Sequence, residues 1–485
     1  MGILAVWTLV AVWGGHLLEG AEPTTTVDAV RDIGSRLELF VDDWLIDRME
    51  GARLVVHPPT PREVVMTFDA PWEGICTACW TVFQDGPKFR MYYRAMDYDP
   101  KTKKYTPDKT AYAESTDGIR WTRPNLGLIE FNGSKENNLI WQGYESHNFT
   151  PFKDANPACG PDAPYKAFGG GDPKKGIHIL KSSDGIRWTL MQPEAVITKG
   201  AFDSQNLAFW WPQAHRYLAY FRTWSGGGYQ GIRDISHATS TDCVHWTDPE
   251  PLKYGEAPHE HLYTNGILPY FRAPHILMGF PKRFWPERRK VADAFYDGLS
   301  ETVFMTSRDG VHWHRWQEAF VRPGLQKERW VTRNNLTAYG ILVTPSDIPG
   351  TPDELSIYTS EGYYIGPCRL RRFTLRMDGF VSVNAPFRGG ELVTKPFVFK
   401  GKHLVMNYST SGAGGVRVEL QDAAGKPIEG YALADSPEIY GDAIEHVVSW
   451  KGGNDVAGLA GRPVRLRFVM RDADLYAIRF VPPLP

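Results

Sequence analysis

Apolar and polar residues alternate with a period of two along most of the chain. Stretches such as Lys88–Arg94 (KFRMYYR), Arg216–Arg222 (RYLAYFR) and His275–Phe280 (HILMGF) are short, rich in aromatic and branched residues, and bounded by turn formers. The 3.6-residue recurrence of an amphipathic helix is almost absent. The pattern predicts an all-β chain of many short strands. Superimposed on it is a repeat. Ser115-Thr-Asp117-Gly118-Ile-Arg-Trp121 returns as Ser182-Ser-Asp184-Gly185-Ile-Arg-Trp188, Ser240-Thr-Asp242-Cys243-Val-His-Trp246 and Ser307-Arg-Asp309-Gly310-Val-His-Trp313, at spacings of 67, 58 and 67 residues. Arg376-Met-Asp378-Gly379-Phe380 reads as a decayed fifth copy. Each copy follows an alternating strand. Ser and Asp side chains bond turn backbone, Gly supplies positive φ, and Trp packs between neighbouring units. These Asp residues are therefore read as turn residues, not catalysts.

A unit of roughly 60 residues carrying about four strands predicts a β-propeller. Five second strands can be counted, the three above plus Tyr165–Gly169 and Leu355–Thr359, so five blades are expected. An early strand, Ala52–His57, is expected to close the ring against the last blade. After residue 390 the repeat stops, and segments such as HLVMNYST, VRVELQD and PVRLRFVM alternate strictly between turns. This predicts a C-terminal β-sandwich. The expected division is a signal peptide at 1–21, a five-bladed propeller at 36–390 and the sandwich at 391–485.

Composition narrows the class. With 54 Lys+Arg against 56 Asp+Glu in 485 residues, a nucleic-acid binder living on phosphate contacts is excluded. A hydrophobic content of 42% with 23% charged excludes global disorder. The apolar run Ile3–Trp13 is too short for a ~20-residue membrane span but fits a secretory h-region, although no Lys or Arg precedes it. Export to the periplasm or beyond is expected, and no later stretch is long and apolar enough to span a bilayer. Cys76 and Cys79 form a C-x-x-C, but within a strand-like stretch and with no second pair, so the two are read as buried thiols rather than as redox or zinc ligands, and the pairing of the five cysteines is left open. No metal and no cofactor is implied.

The candidate chemistry comes from comparing the starts of the inner strands, which ring a propeller's axis. Blade one begins Pro71-Trp72-Glu73-Gly74, blade two Phe152-Lys153-Asp154, blade three Phe202-Asp203-Ser204-Gln205-Asn206, blade four His259-Glu260-His261-Leu262-Tyr263, and blade five Thr332-Arg333-Asn334. Four of five slots carry a carboxylate, although Asp+Glu make up only 56 of 485 residues. Carboxylates around a funnel suit glycosidic cleavage, one protonating the leaving oxygen and a second activating water or attacking the anomeric carbon. Structural salt bridges are the bland alternative. Trp72 and Tyr263 offer ring faces for sugars. Arg222, Arg233, Arg283 and Arg333 fall near blade starts, and several Arg in one funnel suit an anionic sugar. Gln205, Asn206 and His261 complete the candidate substrate contacts.

The ring of blades, the S-x-D-G-x-x-W turns and the C-terminal sandwich resemble the five-bladed propeller glycoside hydrolases, the invertase-like family 32 and arabinanase-like family 43. The opening Leu39-Phe-Val-Asp42-Asp43-Trp-Leu-Ile46 and the stretches around Asp154, Asp203 and Glu260 look like exported planctomycete-type family-32-like proteins. The resemblance implies a hydrolase of a plant or algal saccharide. It assigns Asp154 as base or nucleophile, Asp203 as transition-state helper and Glu260 as acid, with Glu73 and Asp43 in reserve. The family-32 signatures W-M-N-D-P-N-G, R-D-P and E-C are missing, so no substrate is carried over. A non-catalytic carbohydrate-binding propeller, or a sialidase-like or lyase-like enzyme on an acidic sugar, are the alternative readings.

Overall fold

A computed structural model describes residues 30–482; the expected signal peptide lies outside the described residues. Five four-stranded blades run in order around one axis. Blade one is built from Ala78–Asp85, Lys88–Ala95, Lys109–Ser115 and Leu139–Gln142, and blade two from Thr150–Lys153, Tyr165–Gly169, His178–Ser182 and Thr189–Leu190. Blade three follows with Leu207–Trp211, Arg216–Trp224, Arg233–Ser240 and Glu250–Pro251. Blade four, Leu268–Tyr270, Ala273–Gly279, Leu299–Ser307 and Trp313–Val321, carries an extra strand, Lys282–Trp285, paired with the Leu299 end of its third strand. Blade five takes Leu342–Thr344, Glu354–Glu361 and Cys368–Leu375 from one end of the ring and Thr60–Phe68 from the other.

That last pairing closes the ring, and it corrects one expectation. The closing strand is Thr60–Phe68, not Ala52–His57. Arg53–Val56 instead pairs with Val381–Ala385. Arg31–Gly34, Glu38–Leu39 and Ile46–Glu50 likewise join strands of the C-terminal region. The sequence beginning at 36 therefore enters the C-terminal sheet before it reaches the propeller. Alternation marks a segment as a strand but does not name its partner edge.

The C-terminal region is one ten-stranded sheet organised on two long antiparallel strands, His403–Asp422 and Val464–Val481. It wraps a core of its own, including Phe397, Phe399, Val418, Leu466, Phe468 and Phe480. A second cluster joins it to the ring. Leu37, Leu39, Val41 and Ala477 pack with Tyr270, Met278, Phe280, Phe304 and Phe320 of blade four.

The four S-x-D-G turns fold alike. In the first, Ser115 Oγ accepts from the Gly118 amide at 2.9 Å, Asp117 Oδ1 accepts from Ile119 and Arg120 amides at 2.8 Å, and Trp121 Nε1 donates to Gly118 O at 3.1 Å. Every acceptor site of the Asp is thus turned onto its own loop, which is the structural role expected. The Trp of each turn meets, edge on, an aromatic ring of the preceding blade's second strand: Trp188 on Tyr92, Trp246 on Phe168, Trp313 on Tyr220, and Trp121 on Tyr358 across the closure.

Candidate functional site

The inner strands start together, and their starts surround a cavity of about 490 Å³. Each blade contributes the residues just before or at its inner strand: Cys79, then His147 and Asn148, then Asp203 to Gln205, then Tyr263 and Thr264, then Arg333 and Leu336. Several of these turn sharply into the strand, with φ of +56° at Cys79, +58° at Asn148, +64° at Arg333 and +57° at Asn335. Such conformations are uncommon outside glycine; Cys79, Asn148 and Arg333 line the cavity, whereas Asn335 is bonded to Arg329 and Ser300. The same cavity is reached by Arg94 from blade one's second strand, Asp108 from the loop before its third strand, and Lys282 from blade four's extra strand. Tyr105, Tyr363 and Tyr364 wall one side.

At the centre lies a chain of three groups. His147 Nδ1 is 2.6 Å from Asp108 Oδ2, and His147 Nε2 is 3.1 Å from Asp203 Oδ1. With a carboxylate at each ring nitrogen, the imidazole makes both bonds as donor only when doubly protonated. Burial alone would lower the His147 pKa, but the bonds to Asp108 and Asp203 outweigh it and raise it above 6.5. Enclosure would raise the Asp203 carboxyl. The His147 bond and the charges of Arg222, His147 and Arg333 overturn that and hold it well below the ordinary carboxylate range. Asp108 is depressed in the same way by His147 and Arg94. Asp203 is the more open of the two, its side chain 50% exposed toward the funnel.

The remaining charge is positive. Arg222, buried, lies 3.8 Å from Asp203 Oδ2 and 4.8 Å over the Tyr263 ring. Arg233 is wedged between Trp224, Tyr263 and Phe284. Arg333 bonds the hydroxyls of Tyr363 and Tyr364. Lys282 is buried with its Nζ 3.7 Å from the Tyr263 ring centre, and burial together with Arg333, Arg233 and Arg222 pushes its pKa well below 10.5.

Of the residues expected to act, the structure brings Asp203, Gln205, Tyr263 and Arg333 to the cavity, with Arg222 and Arg233 just behind the wall. His261 stands beside Arg233, its Nδ1 accepting from the Arg233 amide at 3.1 Å. The other carboxylates are elsewhere. Glu73 is buried under Arg123 at 2.8 Å and Tyr93 at 2.5 Å. Asp154 is closed off by Lys166 and by Tyr217 at 2.6 Å. It sits at the finish of its inner strand, after Thr150–Lys153, rather than at the start. Glu260 is held by Arg315 and Arg283, which also engages Glu301. Asp43 is exposed beside the C-terminal sheet, its carbonyl 3.4 Å from Lys395 Nζ. Trp72 packs on Phe131, and Asn206 is buried on Phe202 O. The ring of acids is therefore a set of structural ion pairs with one exception, Asp203.

Two signals pointed to the residues that were missed. Asparagine recurs one to three residues before the inner strands of blades two, three and four, at 148, 206 and 265, and would have set blade two's start at His147-Asn148. KFRMYYR and RYLAYFR end alike, which pairs Arg94 with Arg222. Nothing in the local pattern marks Asp108 or Lys282. Among the described residues no group of three or more His, Cys, Asp or Glu is arranged to hold a metal ion, and no helix is long and apolar enough to cross a membrane. All five cysteines are free thiols, four of them buried.

Neither the comparison with protein-family models nor that with curated proteins yields a match. Solved structures do match at the level of fold. They include a thermostable family-43 glycoside hydrolase (12% identity, 65% of this chain and 95% of that one, TM-score 0.39) and the Bombyx mori GH32 β-fructofuranosidase (10%, 89% and 95%, TM-score 0.39). An N-acetylgalactosamine deacetylase from F. plautii, solved with a blood group B trisaccharide, matches similarly (11%, 72% and 95%, TM-score 0.42).

Proposed function

We propose that the protein is a glycoside hydrolase that binds a saccharide in the funnel and cleaves a glycosidic bond, with Asp108, His147 and Asp203 moving the proton. One observation supports this above the others: an imidazole bonded at both nitrogens to carboxylates, facing an aromatic-walled cavity. Such a chain stores one proton between two anions. His147, backed by Asp108, is the donor for the departing oxygen. Asp203, ionised and open to the cavity, is the carboxylate that activates water or meets the positive charge developing at the anomeric carbon. The acid role that the family resemblance gave to Glu260 passes in this reading to His147, because Glu260 is committed to two arginines.

The test is cleavage of a glycan panel read by new reducing ends, with ultraviolet absorbance to detect an unsaturated product of elimination. Asp203→Asn and His147→Ala are each expected to slow cleavage by about 10²-fold or more. Full activity in Asp203→Asn overturns the assignment. Cleavage with an unsaturated product replaces hydrolysis by elimination. Binding of glycans without any cleavage by the unaltered protein replaces the enzyme with a binding propeller.

A further inference from the structure

The cavity holds more positive charge than its two carboxylates can balance. Asp108 and Asp203 already share His147 between them. Around the Tyr263 ring stand three cationic side chains, Lys282 Nζ at 3.7 Å, Arg222 at 4.8 Å and Arg233 at 5.2 Å, and Arg333 lines the same space. Arg233 meets no carboxylate among the described residues: its Nη1 lies 3.4 Å from His261 Nδ1, and its Nε is buried without a hydrogen-bond partner. Lys282 is 1% exposed, and the charges that bear on it most are Arg333, Arg233 and Arg222, all of its own sign. A buried lysine among arginines is costly, because its contact with the Tyr263 ring offsets only part of the desolvation and the like-charge repulsion. Negative charge brought by a ligand offsets that cost.

We propose that the cations around Tyr263 form a site for an anionic substituent of the saccharide, a carboxylate or a sulfate ester. The inference rests on the saccharide reading above and names its substrate class. Arg222, Arg233 and Arg333 present planar donors that suit an oxyanion with two or three acceptor oxygens. Burial and the three guanidiniums disfavour the charge on the Lys282 amine, and an anion that offsets them favours it again, with Cys79 and Tyr263 as the other titratable groups against it. Binding of the anion therefore raises the Lys282 pKa, which proton uptake reads.

The experiment is titration calorimetry of the full chain with D-galacturonate, galactose 6-sulfate, galactose and inorganic sulfate, in two buffers of different ionisation enthalpy. At least one sugar acid is expected to bind about tenfold or more tightly than galactose, with net proton uptake. Which of the two binds distinguishes carboxylate from sulfate ester. Lys282→Met is expected to lose the preference and the uptake while melting no lower than the parent, since it removes an uncompensated buried amine. If that variant does not fold, Arg233→Gln carries the same prediction for the preference. Galactose binding as tightly as both acids overturns the proposal. So does inorganic sulfate binding as tightly as either sugar acid, which is an adventitious ion only. Sugar-acid binding without cleavage of any glycan leaves this site standing and removes the hydrolase reading.

Discussion

At the scale of single residues, the proposed chemistry turns on His147, and the reading gives its two partners different jobs. Asp203 opens to the cavity, whereas Asp108 lies behind and acts through the imidazole. The signs give a pH profile. The His147 pKa is raised, so the imidazolium is present below it and lost as pH climbs through it. Asp203 is depressed, so its carboxylate persists until the solution is strongly acid. Activity is thus expected to hold on the acid side and fall on the basic side. Asp108→Asn removes the negative charge that raises His147 from the Nδ1 side, and its basic limb is expected to move down by about one pH unit with a rate loss of about 10²-fold. A merely structural Asp108 would lower the rate without moving the limb. This trio was only partly legible beforehand. Asp203 sits directly before an inner strand, where the repeat points. His147 was hidden by a misplaced blade start, and Asp108 comes from a loop whose path toward the axis no periodicity records.

At the scale of the element, the turn repeat was legible almost completely, because Ser, Asp, Gly and Trp each satisfy a local backbone need. Its one deviation, Cys243, has a tertiary explanation. In the other three turns the glycine carbonyl accepts a hydroxyl from the preceding blade: Gly185 from Tyr92 and Gly310 from Tyr220 at 2.9 Å, Gly118 from Tyr358 at 2.5 Å. A Cβ on those glycines would meet the hydroxyl oxygen at 2.8 Å, 2.9 Å and 3.1 Å. The equivalent partner of Cys243 is Phe168, which has no hydroxyl. The side chain of Cys243, at φ +68° and fully buried, is tolerated because the neighbour lacks one oxygen. Phe168→Tyr alone is expected to destabilise by about 1–3 kcal/mol through overpacking. Adding Cys243→Gly should recover most of it, since glycine takes the positive φ freely and exposes a carbonyl to the new hydroxyl. Urea denaturation of both singles and the double reads the coupling. A value under about 0.5 kcal/mol means the two positions are independent.

At the scale of the whole molecule, the sequence order conceals which strands share a sheet. Residues 31–56 resemble propeller strands in pattern, yet they pair with strands more than 320 residues away. Their anchor on the ring is Glu38, 1% exposed. Its carboxylate meets Arg308 at 2.9 Å, on the turn of blade four, and His275 at 3.1 Å on that blade's second strand. Arg308 also engages Asp42 at 2.8 Å and lies 4.2 Å over the Trp44 ring. Burial alone would raise the Glu38 pKa, but the His275 bond and the charges of Arg308, His275 and Arg36 bring it down from 4.5 to about 2. A depressed carboxyl stabilises the fold above its unfolded pKa, and that stability is lost as pH falls toward the folded value. By linkage the effect is about 3 kcal/mol at neutral pH, disappearing between about pH 5 and pH 2. Since the same contact ties the C-terminal sheet to the ring, and apolar packing joins them as well, one cooperative unfolding transition is expected rather than two. Glu38→Gln should lower stability at pH 7 by about 3 kcal/mol, because it leaves Arg308 half-paired in a buried place. The same variant should lose less than the parent between pH 5 and pH 2. Equal acid slopes in the two proteins, or a second transition in the parent's calorimetric trace, would show that Glu38 does not clamp the two parts together.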